Sequence, residues 1–273
     1  MYPTISLYVY VDDIDIGAHG AEKQVIQDAF GATRMLIYGL ERKVLASVSR
    51  SKSLVLGSSP AVRDELQTKL ASLKILVGTK GKKLGCDFTL AGRRACGTLR
   101  KRLRKYQART GRFLALRKGA GRKRAARIHR AGAVPGAIYG MASLGASTSH
   151  LAALRRSYSR VRGLSSQFAS TRLGFLLRRK DGDDPALVVH SLPINAWART
   201  VWDQTIALPD LEDTMRWAEE RRRNSRSPWL KVVGPAGATA TSLARLAWTI
   251  NSAVEWVDDR GITVNLLAVC PKT

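Results

Sequence analysis

The stretch SLYVYVDDIDIGAHG (Ser6–Gly20) places an acidic pair between two apolar runs. The first run, TISLYVYV at residues 4–11, is rich in β-branched and aromatic residues and holds neither Gly nor Pro, which is typical of a strand. Asp12 and Asp13 follow as a tight turn, and IDIGA returns as a second short strand. The pattern predicts a β-hairpin that carries two carboxylates at its tip.

Two interpretations of the acidic pair stay open on the residues alone. Asp is a favoured turn residue, so a plain solvated turn explains the pair and is the preferred reading. Adjacent carboxylates also suit Mg²⁺, which takes hard oxygen ligands and keeps several waters. In two-metal phosphoryl transfer, such cations activate the attacking hydroxyl and stabilise the leaving oxygen. Asp15, two residues further on, is predicted to be a solvent-facing strand residue.

The charge of the chain is unevenly distributed. The 273 residues carry 46 Lys and Arg against 21 Asp and Glu, a net charge of +25. From Phe88 to Lys180 there are 24 basic residues and no acidic one, which leaves 22 basic and 21 acidic residues elsewhere. Such a segment suits a polyanionic partner, nucleic acid first and an anionic membrane surface second. A solvated basic face and a disordered tail are the plain alternatives, but apolar residues at helical spacing argue against disorder.

Cysteine usage and hydropathy exclude several classes of protein. The three cysteines, Cys86, Cys96 and Cys270, form neither an even disulfide set nor a zinc spacing, so a reducing compartment is expected. No apolar run reaches the length of a membrane span, and the N-terminus lacks a signal-peptide pattern. The sequence predicts an intracellular protein of the nucleus or cytoplasm, not secreted and without a membrane partner.

Local patterns divide the chain into three parts of an α+β protein. Residues 1–90 alternate strand-like runs with helices, and residues 91–180 are basic, mostly helical and broken by Gly-rich joints. Residues 181–273 begin with a polar linker, contain all six tryptophans and are predicted to be mainly helical. The expected helices lie at about residues 20–40, from Pro60 onward, and at about 209–223 and 241–257.

The YVDD motif (Tyr10–Asp13) between two short apolar strands resembles the active-site hairpin of reverse transcriptases. A helix, the segment SVSRSKSLVLGS, the segment GKKLGCDF and a basic helical region follow in the order of that family. The order and spacing are most similar to the non-LTR (LINE-type) retrotransposon enzymes. Their usual motif is YADD, so Val11 is a departure, although valine occurs in the wider family. The resemblance covers residues 4–165, and residues 185–273 carry no motif of the family.

The resemblance implies a partial polymerase palm made of antiparallel hairpins with helices, then a basic helical thumb. Asp12 would bind both catalytic Mg²⁺ ions, and Asp13 would be a supporting ligand. Lys52 would donate a proton to the leaving pyrophosphate, or it is a solvated lysine on a strand edge. The residues placed near the primer terminus and its grip are Tyr10, Leu84 and Gly85, of which the last two also suit an ordinary strand–turn.

The implied activity is RNA-directed DNA polymerisation, with Mg²⁺, deoxynucleoside triphosphates, an RNA template and a DNA primer. Family members also need a further metal-binding Asp and a fingers region, both N-terminal to this motif. Only nine residues precede Tyr10 and none is acidic, and neither Asp28 nor Asp87 can be substituted on sequence grounds. We therefore expect a C-terminal palm and thumb fragment that does not polymerise by itself.

The basic segment is expected to bind phosphates without reading bases. Two rival functions remain: a non-catalytic nucleic-acid-binding protein, and a decayed retroelement relic that does not fold stably. Five aromatic residues among the charges are expected in the core rather than stacked on bases: Tyr106, Phe113, Tyr139, Tyr158 and Phe168. No role is assigned to three histidines, His129, His150 and His190. The residues expected to contact phosphates are Arg93, Arg94, Arg100, Lys101, Arg104, Lys105, Arg109, Arg112, Arg122, Lys123, Arg124 and Arg127.

Overall fold

The computed structural model describes residues 2, 4–10, 13–164, 170, 175 and 184–271. Helices and small sheets are mixed, so the predicted α+β class is confirmed. The chain forms two compact units: the first is Met1–Gly81 with Thr89–Ala91, and the second is Lys82–Phe88 with Gly92–Thr273. The second unit takes in both segments that the sequence divides at residue 180.

The first unit begins with the predicted hairpin. Strands β1 (Ile5–Tyr10) and β2 (Asp13–Ala18) pair antiparallel, and Tyr10 lies opposite Asp13 in the register. Helix α1 (Glu22–Tyr38) follows and runs into a π-helical turn, Gly39–Lys43. The two paired strands and the helix therefore succeed one another as the residue patterns predict.

A parallel strand pair completes the sheets of the first unit. Strands β3 (Leu54–Leu56) and β4 (Leu76–Gly78) are joined by helix α2 (Pro60–Leu70), and the Ser59 hydroxyl caps that helix by accepting from the Val62 N–H at 3.2 Å. The expectation of antiparallel hairpins was wrong here, because a helical crossover returns the chain in the same direction. The buried core of this unit consists of Ile26, Val62, Leu66 and Leu70.

Strands β5 (Lys80–Lys83) and β6 (Cys86–Thr89) form a second hairpin with a two-residue connection. Leu84 and Gly85 make that connection with φ of 45° and 78°. Positive φ at both central positions defines a turn of the I′ kind, which matches the twist of paired strands.

The basic part of the second unit is a helical bundle. Its longest helix, α3 (Gly97–Ala120), buries Leu99, Leu103, Tyr106 and Thr110, which recur every three or four residues along one face. A π-helical turn, His129–Ala133, interrupts the helices that follow. Those helices are α4 (Arg122–Ile128), α5 (Val134–Ile138), α6 (Met141–Leu144) and α7 (Thr148–Arg162).

The C-terminal part adds three helices and a small antiparallel sheet. The prediction of a helix at 209–223 is confirmed almost to the residue, whereas the prediction at 241–257 was wrong beyond Arg245. Ala247 has a φ of 62°, which ends helical geometry, and strands follow. The elements are α8 (Pro185–Trp202), α9 (Leu208–Arg223), α10 (Gly234–Arg245), β7 (Thr249–Ile250), β8 (Glu255–Val257) and β9 (Thr263–Asn265).

Two of the six tryptophans lie in the core of this part, whereas Trp217 is 45% exposed. Trp197 and Trp256 are buried, and the Trp197 indole donates to the Ala253 carbonyl oxygen at 2.9 Å. Across the described ranges, no helix combines the length and the apolar character that crossing a membrane requires.

Candidate nucleic-acid interface

The acidic hairpin presents one described carboxylate to solvent. Asp13 is exposed at the first position of β2, opposite Tyr10 in the register. Val11, Asp12 and the side chain of Tyr10 lie outside the described residues. The expected pairing of Asp12 with Asp13 at a metal site therefore stays a prediction.

The residues fit a magnesium ion in part. An exposed carboxylate such as that of Asp13 is a suitable hard ligand. In the described part of the chain, no three His, Cys, Asp or Glu side chains cluster as a metal site. Asp28 is buried and accepts from the Thr4 hydroxyl at 2.5 Å and the Gln24 amide at 2.8 Å. These hydrogen bonds fix the Asp28 carboxylate in the interior, between β1 and α1.

Lys52 lies in a turn that precedes β3, rather than on a strand edge. The Lys52 and Ser53 N–H groups both donate to the Ser49 carbonyl, at 3.2 and 3.0 Å, and the lysine side chain is exposed. Neighbouring Arg50 pairs with Glu41 at 2.7 Å. The proton-donor role of Lys52 stays a prediction beside its solvated alternative.

The Leu84–Gly85 turn is held by two side chains from the helical bundle. The Tyr139 hydroxyl donates to the Leu84 carbonyl at 2.8 Å, and Arg102 Nη1 donates to the Gly85 carbonyl at 2.8 Å. The Arg102 guanidinium also stacks on the Tyr139 ring, 4.6 Å from its centroid. A Cβ at Gly85 would lie 2.6 Å from Arg102 Nη2, so the guanidinium would have to shift, and the φ of 78° favours glycine as well.

The same hairpin caps the long basic helix. Asp87 on β6 accepts from the Thr98 N–H at 3.1 and 2.8 Å and from the Leu99 N–H at 3.2 Å. The residue at the N-cap position of α3, Cys96, makes no side-chain cap bond. Asp87 therefore satisfies N–H groups that would otherwise lack partners and places a negative charge at the positive end of the helix.

We define the basic face as the exposed Lys and Arg side chains of residues 93–127 that the sequence assigned to phosphates. On α3, Lys101, Lys105 and Arg112 fall opposite the buried face, at positions four and seven residues apart. No acidic residue lies between Phe88 and Lys180 to neutralise them. Eleven of the twelve assigned residues are exposed: Arg93, Arg100, Lys101, Arg104, Lys105, Arg109, Arg112, Arg122, Lys123, Arg124 and Arg127.

Arg94 is the one assigned residue that the protein itself binds. Its guanidinium donates to the Gly145 carbonyl and lies 5.7 Å from the centre of the Trp229 ring. Burial lowers the pKa of this side chain to about 10. Arg94 therefore stabilises the bundle and does not present its charge to a ligand.

Most aromatic residues of the segment lie in the core, as the spacing indicated. Tyr106 and Tyr158 are buried, and Phe113 is partly buried. Their three rings surround the buried His129 ring, with centroids 5.3, 5.3 and 4.9 Å away. Tyr139 is half exposed at the turn, and Phe168 lies outside the described residues.

The sequence analysis gave no binding role to Arg102, which proves central to the turn. Arg102 stands in the run RKRLRK, and nothing in its type separates it from its neighbours. Its helical phase was the available signal, because Arg102 lies between the buried face of α3 and the exposed face that carries Lys101 and Lys105.

Comparisons of the chain with protein-family profiles, with curated proteins and with solved structures found no match.

Proposed function

We propose that the chain is the palm and thumb portion of an RNA-directed DNA polymerase of a non-LTR retroelement, and that it binds the duplex of DNA primer and RNA template. The observation that carries the proposal is the basic face: eleven exposed cations, without an intervening acid, directly after a rigid hairpin turn. The YVDD hairpin, the Leu84–Gly85 turn and α3 follow in the order that the resemblance implies.

The dimensions of α3 suit a duplex. Its 24 residues extend about 36 Å at ~1.5 Å per residue. That length matches about ten base pairs at ~3.4 Å each. Cations distributed along the helix can neutralise successive phosphates, which gives strong salt dependence and little sequence preference.

The exposed first strand supports a place in a larger palm. Leu7, Tyr8 and Val9 are each more than half exposed, although they are consecutive and so point to both faces of β1. In the described part of the chain, β1 pairs only with β2, which leaves its other edge open. Apolar faces and an open edge are the usual features of a strand that packs against further protein.

Catalysis is proposed for the complete enzyme. Asp12 and Asp13 would hold Mg²⁺, which supplies positive charge at the reacting phosphate and its leaving group. Tyr10 would lie near the primer end, and Lys52 would protonate pyrophosphate. The chain alone is proposed not to polymerise, because the hairpin offers too few carboxylates. Mg²⁺-dependent primer extension by the purified chain, lost in Asp12→Asn, would contradict this.

Neutralising the basic face tests duplex binding. The triple variant Lys101→Gln, Lys105→Gln and Arg112→Gln removes three phosphate contacts from one face of α3. The slope of log Kd against log salt should become shallower by about 2–3, measured by fluorescence anisotropy with a labelled RNA–DNA hybrid. The control variant Arg199→Gln, Arg226→Gln and Lys231→Gln loses the same charge at exposed positions elsewhere and should keep the wild-type slope.

The same basic face also fits a non-catalytic nucleic-acid-binding protein. Two hybrids of equal length and charge, each closed by a loop at the far end, separate the two functions. One has a recessed primer 3′ end at its open end and the other a recessed 5′ end. A polymerase fragment binds the recessed 3′ end more tightly, whereas equal affinities favour the non-catalytic protein.

A further inference from the structure

We infer that Arg102 and Tyr139 are positioning residues that hold the Leu84–Gly85 turn in the shape that receives the primer 3′ end. The inference rests on the proposed function and assigns two residues to it that no motif indicates. Neither residue needs to touch the primer, because both act on the backbone of the turn.

The turn adopts a conformation that its own sequence does not favour. Leu84 has a φ of 45°, in the left-handed region where a residue with a Cβ is strained. Turns of this kind prefer Asn-Gly or Asp-Gly, which tolerate positive φ. Leu84 therefore keeps this geometry only because contacts from outside the turn hold it.

Those contacts come from a single stacked pair. Tyr139 holds the Leu84 carbonyl and Arg102 holds the Gly85 carbonyl, each through a 2.8 Å hydrogen bond. The guanidinium stacks on the phenol ring, so each side chain restricts the rotamers of the other. Since both carbonyls of the turn are bound, a change in the orientation of either peptide would break a hydrogen bond.

The surrounding backbone adds to this restraint. Asp87 ties β6 to the first turn of α3, the helix that carries Arg102. Gly140, next to Tyr139, lies so close to Cys86 that a Cβ there would be 3.1 Å from the sulfur. The hairpin is thus tied to α3 through Arg102 and Asp87, and it also contacts Tyr139 and Gly140.

These contacts hold an exposed apolar side chain, that of Leu84, in a fixed position. The side chain of Leu84 is 46% exposed, although Leu84 lies in the tightest part of the hairpin. A leucine presented to solvent on a restrained turn is suited to contact the sugar and base of a terminal nucleotide. Under the proposed function, that nucleotide is the recessed 3′ end of the primer.

Two conservative substitutions test the pair. Tyr139→Phe removes only the hydroxyl that donates to Leu84, and Arg102→Lys keeps the charge while losing the planar stack. Arg199→Lys, at an exposed helical position outside the basic face, is the matched control. Each protein is titrated with the two loop-closed hybrids, and a photoreactive 4-thiothymidine at the primer 3′ end reports whether it crosslinks to residues 82–88.

The expected result separates positioning from general binding. Tyr139→Phe and Arg102→Lys should each lower the preference for the recessed 3′ end by about fivefold, the equivalent of one hydrogen bond. Crosslinking to residues 82–88 should fall, while affinity for the recessed 5′ hybrid and the salt slope stay at wild-type values. A loss of folding alone would reduce affinity for both hybrids, so the unchanged 5′ affinity excludes it.

Two other results have distinct meanings. If wild-type protein binds both hybrids equally, the proposed function fails and this inference fails with it. If wild-type protein prefers the 3′ end and both variants keep that preference and the crosslink, the inference alone is overturned. If one variant does not fold, the result for the other decides.

Discussion

At Leu84 the backbone conformation favours a different type of residue from the one that is present. Its φ of 45° suits Asn or Gly, yet an exposed leucine occupies the position. Selection for stability alone would favour asparagine, so the apolar side chain fits a role in binding better than a role in folding. This strain at one residue is the strongest local sign of function in the hairpin.

Leu84→Asn should therefore stabilise the protein. We expect the free energy of unfolding to rise by about 1 kcal/mol, because asparagine tolerates the left-handed region. Urea unfolding followed by circular dichroism measures the change. Leu90 is similarly exposed but does not have a positive φ, so Leu90→Asn controls for the lost apolar surface. The control should not raise the free energy of unfolding. A gain in the control as large as that for Leu84 would show that strain is not the cause.

For the basic residues, exposure was predictable from the sequence but long-range contacts were not. The exposure of the six assigned cations on α3 follows from helical spacing, since Leu99, Leu103 and Tyr106 mark the buried face. The burial of Arg94 depends on Trp229, which is more than a hundred residues away in the chain. The role of Arg102 likewise depends on Tyr139, and no local pattern reports contacts of that range.

At the scale of elements, an ion pair joins α7 to the start of α8. Arg155 Nε and Nη2 donate to the two Asp184 carboxylate oxygens at 2.9 and 2.6 Å. Asp184 also accepts from the Ala186 N–H at 2.9 Å and so caps α8. Both side chains are largely buried, so their pairing is protected from solvent screening.

Asp184→Ala should lower the free energy of unfolding by about 2–4 kcal/mol, because it removes a helix cap and leaves a buried cation without its partner. Thermal unfolding measures the loss. Asp213→Ala removes an exposed carboxylate that pairs with Arg216 on α9 and should change stability by less than about 0.5 kcal/mol. Similar losses in the two variants would mean that burial does not distinguish the pairs.

Elements were predictable where one segment carries all the information. The first hairpin, α2 and α9 follow from alternation, from Pro60 after a capping Ser59, and from apolar periodicity. The parallel pairing of β3 with β4 was not predictable, because strand direction depends on a crossover that residue patterns do not specify. The helix predicted at 241–257 failed because apolar strand and helix segments look alike over short lengths.

At the scale of the whole molecule, three buried histidines connect stability to pH. Burial, together with the smaller effect of nearby arginines, lowers the pKa of each to about 4; the arginines are Arg162 for His129, Arg94 for His150 and Arg245 for His190. Their ordinary pKa of about 6.5 returns in the unfolded chain. Below that pH the unfolded state binds protons that the folded state does not.

Stability should therefore be full above about pH 6.5 and fall as the pH is lowered toward 4. The expected loss is on the order of 1 kcal/mol per histidine for each pH unit in this window. Urea midpoints measured between pH 7 and pH 4.5 give the slope. His129→Phe, which suits the surrounding aromatic rings, should make the slope shallower, and His19→Gln at an exposed position should not change it. A slope unaffected by His129→Phe would assign the loss to other groups.

At this scale the distribution of charge along the chain was predictable from the sequence, whereas the division into two compact units was less so. Acid-free composition from Phe88 to Lys180 already separates a basic part from a nearly neutral remainder. The grouping of residues 92–273 in one unit arises from helices such as α6 and α10, whose packing partners are far apart in sequence. The acidic tip stays a prediction, because Asp12 lies outside the described residues.

The position of the tryptophans has a practical consequence for following the fold. All six lie between Trp197 and Trp256, inside the second unit, and the first unit has none. Intrinsic fluorescence excited in the indole band therefore reports on the second unit, whereas the amide signal of circular dichroism reports on helices of both. A protein whose YVDD unit had melted would still emit like a native one. Tryptophan fluorescence therefore does not report on the unit that carries the proposed catalytic hairpin.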